Sequence, residues 1–317
     1  MSMKLNENAH RVVQEMLGRA DQLRISATAE PGQACVLDCG IEQAGSLDAG
    51  CRLAEVCLAG LGRVGLSAGY ESIWRGPWIS VQTDQPVAAC MASQYAGWPL
   101  SYGKYFAMGS GPMRSALGRE PVFESIGNLE QPSRAVGVLE SSQLPPLDVQ
   151  RDIARQCQVE VENLTLLVAP TASMAGTVQI VARSVETALH KLHELGFDLT
   201  RVQSGWGLAP LPPVASDNLV GIGRTNDAVL YGARVTLWVR GDDASLEAIG
   251  PRVPSQASSD FGRPFAEIFE RYARDFYRID PLLFSPAEVH FVNLDSGRMW
   301  QFGALQPAIL AESFVGS

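Results

Sequence analysis

Basic charge is what this 317-residue chain has least of: lysine occurs only at Lys4, Lys104 and Lys191, and Lys plus Arg reach 25 against 34 Asp plus Glu, a net charge of −9. No run of more than two basic residues occurs, so the cationic stripe that neutralises phosphates is missing and nucleic acid is excluded as an expected partner. Six cysteines (Cys35, Cys39, Cys51, Cys57, Cys90, Cys157) are too few to staple a chain of this length, and most lie inside apolar runs, as buried reduced thiols do. The C-x-x-C and H-x3-H spacings of a structural zinc site are absent. No stretch approaches 18 uncharged apolar residues, and Met1 to Asp21 mixes Lys4, Glu7, His10, Arg11 and Glu15 among its apolar positions. Neither a membrane span nor a signal peptide is expected, and the expected location is the cytoplasm. The Walker and G-x-G-x-x-G phosphate fingerprints are missing, as is the G-x-S-x-G of serine hydrolases.

What is present is 46% apolar residues beside 30 glycines and 19 prolines, enough for about two ordinary domains. Ala9, Val12, Val13, Met16, Leu17 and Ala20 recur at three and four, which predicts an opening helix over 6–23. Ala34 to Asp38 reads as a strand, followed by a small-residue turn and a helix from Cys51 to Leu61. Leu164 to Ala169 and Thr177 to Leu195 repeat that order, the second helix closing at Gly196. Trp78–Gln82, Tyr105–Met108, Ala135–Glu140 and a long run from Ala228 to Arg240 are further strand candidates. Phe265 to Tyr277 reads as an amphipathic helix, and Asp295, Ser296 and Gly297 as a hairpin turn. Strands joined by both short and long connections predict an α+β or mixed α/β fold of two domains. The consecutive Pro145 and Pro146 place the expected boundary there, giving 1–144 and 145–317.

Three segments carry candidate chemistry. On the helix expected over 177–195, one stripe is apolar and the opposite face bears Arg183, Glu186, His190 and His193. That face reads as a solvated one with an Arg183–Glu186 ion pair worth a few tenths of a kcal/mol, as a general base held by an arginine, or as a metal clamp of Glu186, His190 and His193. Tyr105 to Arg114 reads YFAMGSGPMR, in which glycines around Ser110 let backbone N–H groups converge on a ligand; a tight turn without a ligand explains the same letters. Gly223 to Asp227 reads GRTND, a polar cluster expected as a loop before a strand, where ligands bind and where Asn and Asp are also ordinary turn residues.

Several strings taken together resemble one family. They are VLDCG at 36–40, AGSLDAG at 44–50, ASQYAGW at 92–98, MGSGPMR at 108–114, TASMAGTVQIVARSVETALHKLHELGFD at 171–198, GRTNDAVLYGARV at 223–235 and DFYRIDPLLFSPAEV at 275–289. In this order they resemble the methenyltetrahydromethanopterin cyclohydrolases; Met113 departs from the small residue expected after GSGP. The resemblance implies a metal-free, cofactor-free, cytoplasmic homotrimer whose two-domain α/β subunit holds a pterin in a cleft between the domains. It implies reversible hydrolysis of N5,N10-methenyl-tetrahydromethanopterin to the N5-formyl compound. By the ARSVET string it places the catalytic pair on Arg183 and Glu186, with Arg183 orienting and tuning the carboxylate. Ser93, Gln94, Ser110, Gly111, Arg114, Arg224, Thr225, Asn226 and Asp227 are the expected pterin contacts. The competing readings are a metal-dependent hydrolase built on Glu186, His190 and His193 and a non-catalytic pterin-binding protein.

Overall fold

The computed structural model describes residues 3–316. Their strands are, in chain order, Ser26–Thr28 (β1), Cys35–Asp38 (β2), Gly62–Ser67 (β3), Trp78–Thr83 (β4), Trp98–Tyr102 (β5), Tyr105–Ser110 (β6), Ala135–Glu140 (β7), Leu164–Ala169 (β8), Val202–Pro210 (β9), Arg234–Val239 (β10), Glu288–Asn293 (β11) and Met299–Gly303 (β12). They form two six-stranded mixed sheets, ordered β1-β2-β8-β7-β6-β5 and β12-β11-β10-β9-β4-β3. The α+β class expected from the sequence is the one observed.

The chain divides into two compact units, one of residues 1–63 with 88–179 and the other of 64–87 with 180–317. The expected division after residue 144 does not coincide with either. The reason is pairing: β7 and β8, which flank the double proline, lie side by side as parallel neighbours from Ala135↔Leu164 to Glu140↔Ala169. Pro145 and Pro146 instead introduce the helix Leu147–Gln156, the ordinary crossover between parallel strands.

In the first unit, β2, β8 and β7 run parallel, while β1 pairs antiparallel with β2, β6 with β7, and β5 with β6. Alternate residues of each strand face opposite sides, so one sheet serves two cores. Leu37, Val136, Val138 and Leu167 pack with the helices Leu5–Leu17 and Leu47–Cys57. Val36, Ala135, Leu139, Leu164 and Leu166 pack with Val149, Ile153 and Ala154 of the helix Leu147–Gln156. The opening helix stops at Leu17, earlier than its apolar periodicity suggests, and a separate turn covers Ala20–Leu23.

In the second unit, β10 and β11 are parallel while β9, β4 and β12 pair antiparallel with their neighbours. The hairpin expected at Asp295 to Gly297 joins β11 to β12, with Gly297 at φ 73°. Two expectations are corrected. The run from Ala228 to Arg240 is not one strand: its first three residues finish the helix Asn218–Leu230, and only Arg234–Val239 is extended. The helix starting at Phe265 ends at Arg271, because Ala273 and Arg274 take positive φ values of 55° and 62°.

Candidate functional site

The continuous helix expected over 177–195 is two helices, Met174–Val181 and Ser184–Glu194, broken at Ala182 and Arg183. Arg183 N–H bonds back to Ile180 O at 3.1 Å, a tighter three-residue turn, and Arg183 then caps the second helix with φ −88° and ψ 6°. The break puts Glu186 in the first turn of a new helix, where the positive end of the peptide dipoles favours a carboxylate. Apolar periodicity does not register this break, because Val178, Val181, Val185, Ala188 and Leu189 stay buried on either side of it.

Arg183 Nη1 stands 3.9 Å from Glu186 Oε2, and their side chains are only 10% and 5% exposed. The solvated-face reading is therefore corrected for Arg183 and Glu186; strand β9 lies close under the same helix at Ser184 and Val185. A Cβ at Gly205 would meet Val185 at 2.6 Å, and one at Gly207 would meet Ser184 Oγ at 2.2 Å. At 3.9 Å the guanidinium acts on the carboxylate through charge rather than through a shared proton. One turn further, His190 Nε2 lies 3.7 Å from Glu194. Among the described residues no three His, Cys, Asp or Glu side chains are grouped to hold a metal, so Glu186, His190 and His193 are not brought together as a ligand set.

The GRTND segment lies inside the helix Asn218–Leu230 rather than in a loop. Asp217 starts that helix by accepting from Val220 N–H at 3.0 Å, and Gly223 lets Ala266 approach to within 3.2 Å of where its Cβ would be. Thr225 and Asn226 donate to their own helix, to Gly221 O and Ile222 O, each at 2.8 Å. Arg224 donates to Ser313 O and Pro213 O. Asp227 is fully buried and accepts from Phe265 N–H at 2.8 Å, which ties down the start of the next helix. Burial pushes its carboxyl up to about 7, against the opposing pull of Ser313 and Phe265 N–H.

The remaining expected contacts gather in the first unit around a feature the sequence does not announce. Val87–Gln94 is a π-helix, its last bond running from Tyr95 N–H to Cys90 O at 2.8 Å; such helices are rare and often mark functional sites. Ser93 and Gln94 end it, both fully buried. Ser93 Oγ donates to Cys57 O at 2.5 Å, and Ser93 O accepts from Gly111 N–H at 2.9 Å. Cys57 Sγ lies 3.6 Å from both Ser110 Oγ and Gln179 Oε1. The GSGP turn is thus joined to the π-helix through Gly111, whose φ of 88° is open to glycine at little cost. Met113, the departure from the family string, is accommodated because Gly137 and Gly109 leave room: a Cβ on either would meet the Met113 side chain at 2.0 and 2.9 Å.

Several residues around these motifs escape sequence reasoning. Asp38, at the end of β2, accepts from the backbone N–H groups of Gly40, Ile41, Glu42 and Gln43 at 2.7 to 3.1 Å, fixing the VLDCG loop. Its position before Cys-Gly is a readable Asx-turn signal. Asn6 uses its whole amide on Pro112 O, Glu130 and Val136 N–H. Cys57, Gln179 and Asn6 lie far from the turn in sequence, and nothing local marks them.

A family model described as "Cyclohydrolase (MCH)" matches residues 4–314. Proteins named methenyltetrahydromethanopterin cyclohydrolase are 51% identical over 284 residues in Rhodopirellula baltica (88% of this chain, 85% of that one) and 45% over 312 residues in Methylobacillus flagellatus (98% and 95%). The namesake from Methanosarcina barkeri is 42% identical over 316 residues, 98% of both chains. With a match spanning all but the chain ends and relatives this similar, the chain belongs to the methenyltetrahydromethanopterin cyclohydrolase family.

Proposed function

We propose that this protein hydrolyses N5,N10-methenyl-tetrahydromethanopterin reversibly to N5-formyl-tetrahydromethanopterin, with Glu186 as the proton acceptor and Arg183 as its electrostatic partner. The observation that carries this reading at residue level is the Arg183–Glu186 pair, two opposite charges held at 10% and 5% exposure at the start of a helix. A pair kept so dry costs desolvation, which a merely solvated helix face would not incur.

The substrate carbon lies between two nitrogens in a cationic amidinium and is already electrophilic, so the protein needs to place a water and receive its proton. Glu186 takes a proton as the water oxygen bonds to that carbon. The adduct then collapses to the formyl group as the C–N10 bond breaks, and N10 receives a proton from the protonated Glu186. A cation has become a neutral formyl amine, so the hydroxyl proton of the adduct leaves to solvent. One proton is released per turnover, and acid favours the reverse reaction.

Substrate choice lies in binding rather than in this chemistry, because methenyl-tetrahydrofolate carries the same amidinium. The contacts proposed to recognise the pterin are Ser93, Gln94 and the Ser110–Gly111 turn. Carried over from the family resemblance are a homotrimer, a cytoplasmic location and the absence of a metal or cofactor; sedimentation of the purified protein tests the first. The primary test is the loss of methenyl absorbance on adding protein, with release of one proton. Binding of the pterin without turnover would make the chain a carrier and end the proposal.

A further inference from the structure

We propose that Arg114 is a positioning residue: it caps the C-terminal end of the π-helix Val87–Gln94 and so fixes Gln94 and the Ser110–Gly111 turn in the geometry that receives the pterin. This rests on the reading above that those groups contact the substrate, and it reassigns Arg114 from ligand contact to scaffold.

A helix bonded from residue i to i+5 leaves its last carbonyls without intrahelical donors, and inside a protein these need partners. Arg114 supplies them. Its Nη1 donates to Met91 O at 2.9 Å and to Ser93 O at 3.3 Å, while Gly111 N–H takes Ser93 O from the other side at 2.9 Å. The guanidinium is fully buried, and its charge is met by Glu120 in a two-pronged contact, Nε to Oε1 at 2.8 Å and Nη2 to Oε2 at 2.6 Å. Tyr95 and Phe123 present ring faces to it at 4.9 and 5.5 Å. A cation at the carbonyl end of a helix is also favourable toward the peptide dipoles. These partners occupy both edges and the faces of the guanidinium, so Arg114 binds protein rather than substrate.

The arrangement explains why ASQYAGW and MGSGPMR occur in one chain. The first string ends the π-helix and supplies Tyr95, and the second supplies the glycine turn and the cap. Gly97 belongs to the same device: a Cβ there would lie 1.9 Å from Glu120 Oε2 and 2.7 Å from the Tyr95 ring. Only glycine at 97 leaves the carboxylate where it grips Arg114. Lysine at 114 would keep the charge but has no planar fork, so it cannot hold Glu120 at two points and reach the carbonyls as well.

Two variants test the inference by separate routes. Arg114→Lys removes the fork; Gly97→Ala leaves Arg114 intact and displaces Glu120. Both are expected to raise KM for methenyl-tetrahydromethanopterin, about tenfold or more for Arg114→Lys and about threefold for Gly97→Ala, with kcat within about threefold of the native value, because Arg183 and Glu186 belong to the other unit. Amide exchange at Tyr95, whose N–H closes the last π bond, should quicken in both. Unchanged KM and unchanged exchange would overturn the inference, and so would a fall in kcat at constant KM, which would place Arg114 in the chemistry. If Arg114→Lys does not fold, Gly97→Ala decides alone. If the native protein fails to turn over the methenyl compound, the functional proposal fails, and exchange at Tyr95 in the two variants still decides the cap.

Discussion

The perturbation that bears most directly on the proposed chemistry is Glu186→Gln, alone and combined with Arg183→Ala. At 3.9 Å, two unit charges attract by about 4 kcal/mol at an effective dielectric constant near 20, whereas a fully solvated i, i+3 pair contributes a few tenths. In bulk water the same two charges would attract by about 1 kcal/mol, so burial raises the attraction about fourfold before the cost of desolvation. Glutamine keeps the volume and one acceptor oxygen but cannot take the proton from water, so kcat should fall by about 10² to 10⁴, equivalent to about 3–5 kcal/mol of barrier. Substrate affinity should survive, measured by equilibrium titration with the slow variant. Arg183→Ala should also lower kcat. If the arginine works only through the carboxylate, the double variant should fall no more than about threefold below Glu186→Gln, since an arginine with no base to act on has little left to contribute. The assay is loss of methenyl absorbance at saturating substrate, with thermal melting as the control for folding. A Glu186→Gln protein within tenfold of native kcat would refute the role of the carboxylate, and losses that simply multiply would refute the idea of one unit.

Activity should persist after exhaustive chelation, because the substrate carbon needs no Lewis acid; loss of turnover that returns on adding zinc or iron would contradict this. Gly207→Ala drives a methyl to within 2.2 Å of Ser184 Oγ and 3.1 Å of Val185, so it should cost about 1–3 kcal/mol in urea unfolding and also reduce kcat by shifting the helix that carries Glu186. Asp227 has a folded value of about 7 above its usual 3.8, so the folded chain holds an extra proton between those values. Its contribution is full below about pH 4 and is lost as pH rises through 7. Asp227→Asn keeps an acceptor for Phe265 N–H and should flatten the decline of stability between about pH 4 and 7. An unchanged slope would show that another group sets it.

How much of this was legible in the sequence depends on the range over which each feature is decided. The strands Leu164–Ala169 and Ala135–Glu140 are found where the sequence places them, because largely apolar runs, buried at six and at five consecutive positions and bounded by turn formers, admit few other readings. The α+β class, the hairpin at Asp295 to Gly297 and the family itself were also legible, since alternation, glycine turns and long strings of letters are local signals. Tertiary contacts decided the rest. A break at Ala182–Arg183 leaves the apolar stripe intact, so periodicity reads through it, and the burial of Arg183 and Glu186 is decided by the fold rather than by local pattern. GRTND carries turn residues, yet Asp217 caps a helix through it and the Phe265 backbone gives Asp227 a buried partner 38 positions away. The double proline looks like a linker until β7 and β8 are seen to pair across it. Arg114 could be read as a ligand contact because its chemistry is general. What it does is set by Met91, Ser93 and Glu120, because a guanidinium out of water must find its partners wherever the fold brings them, whatever their distance along the chain.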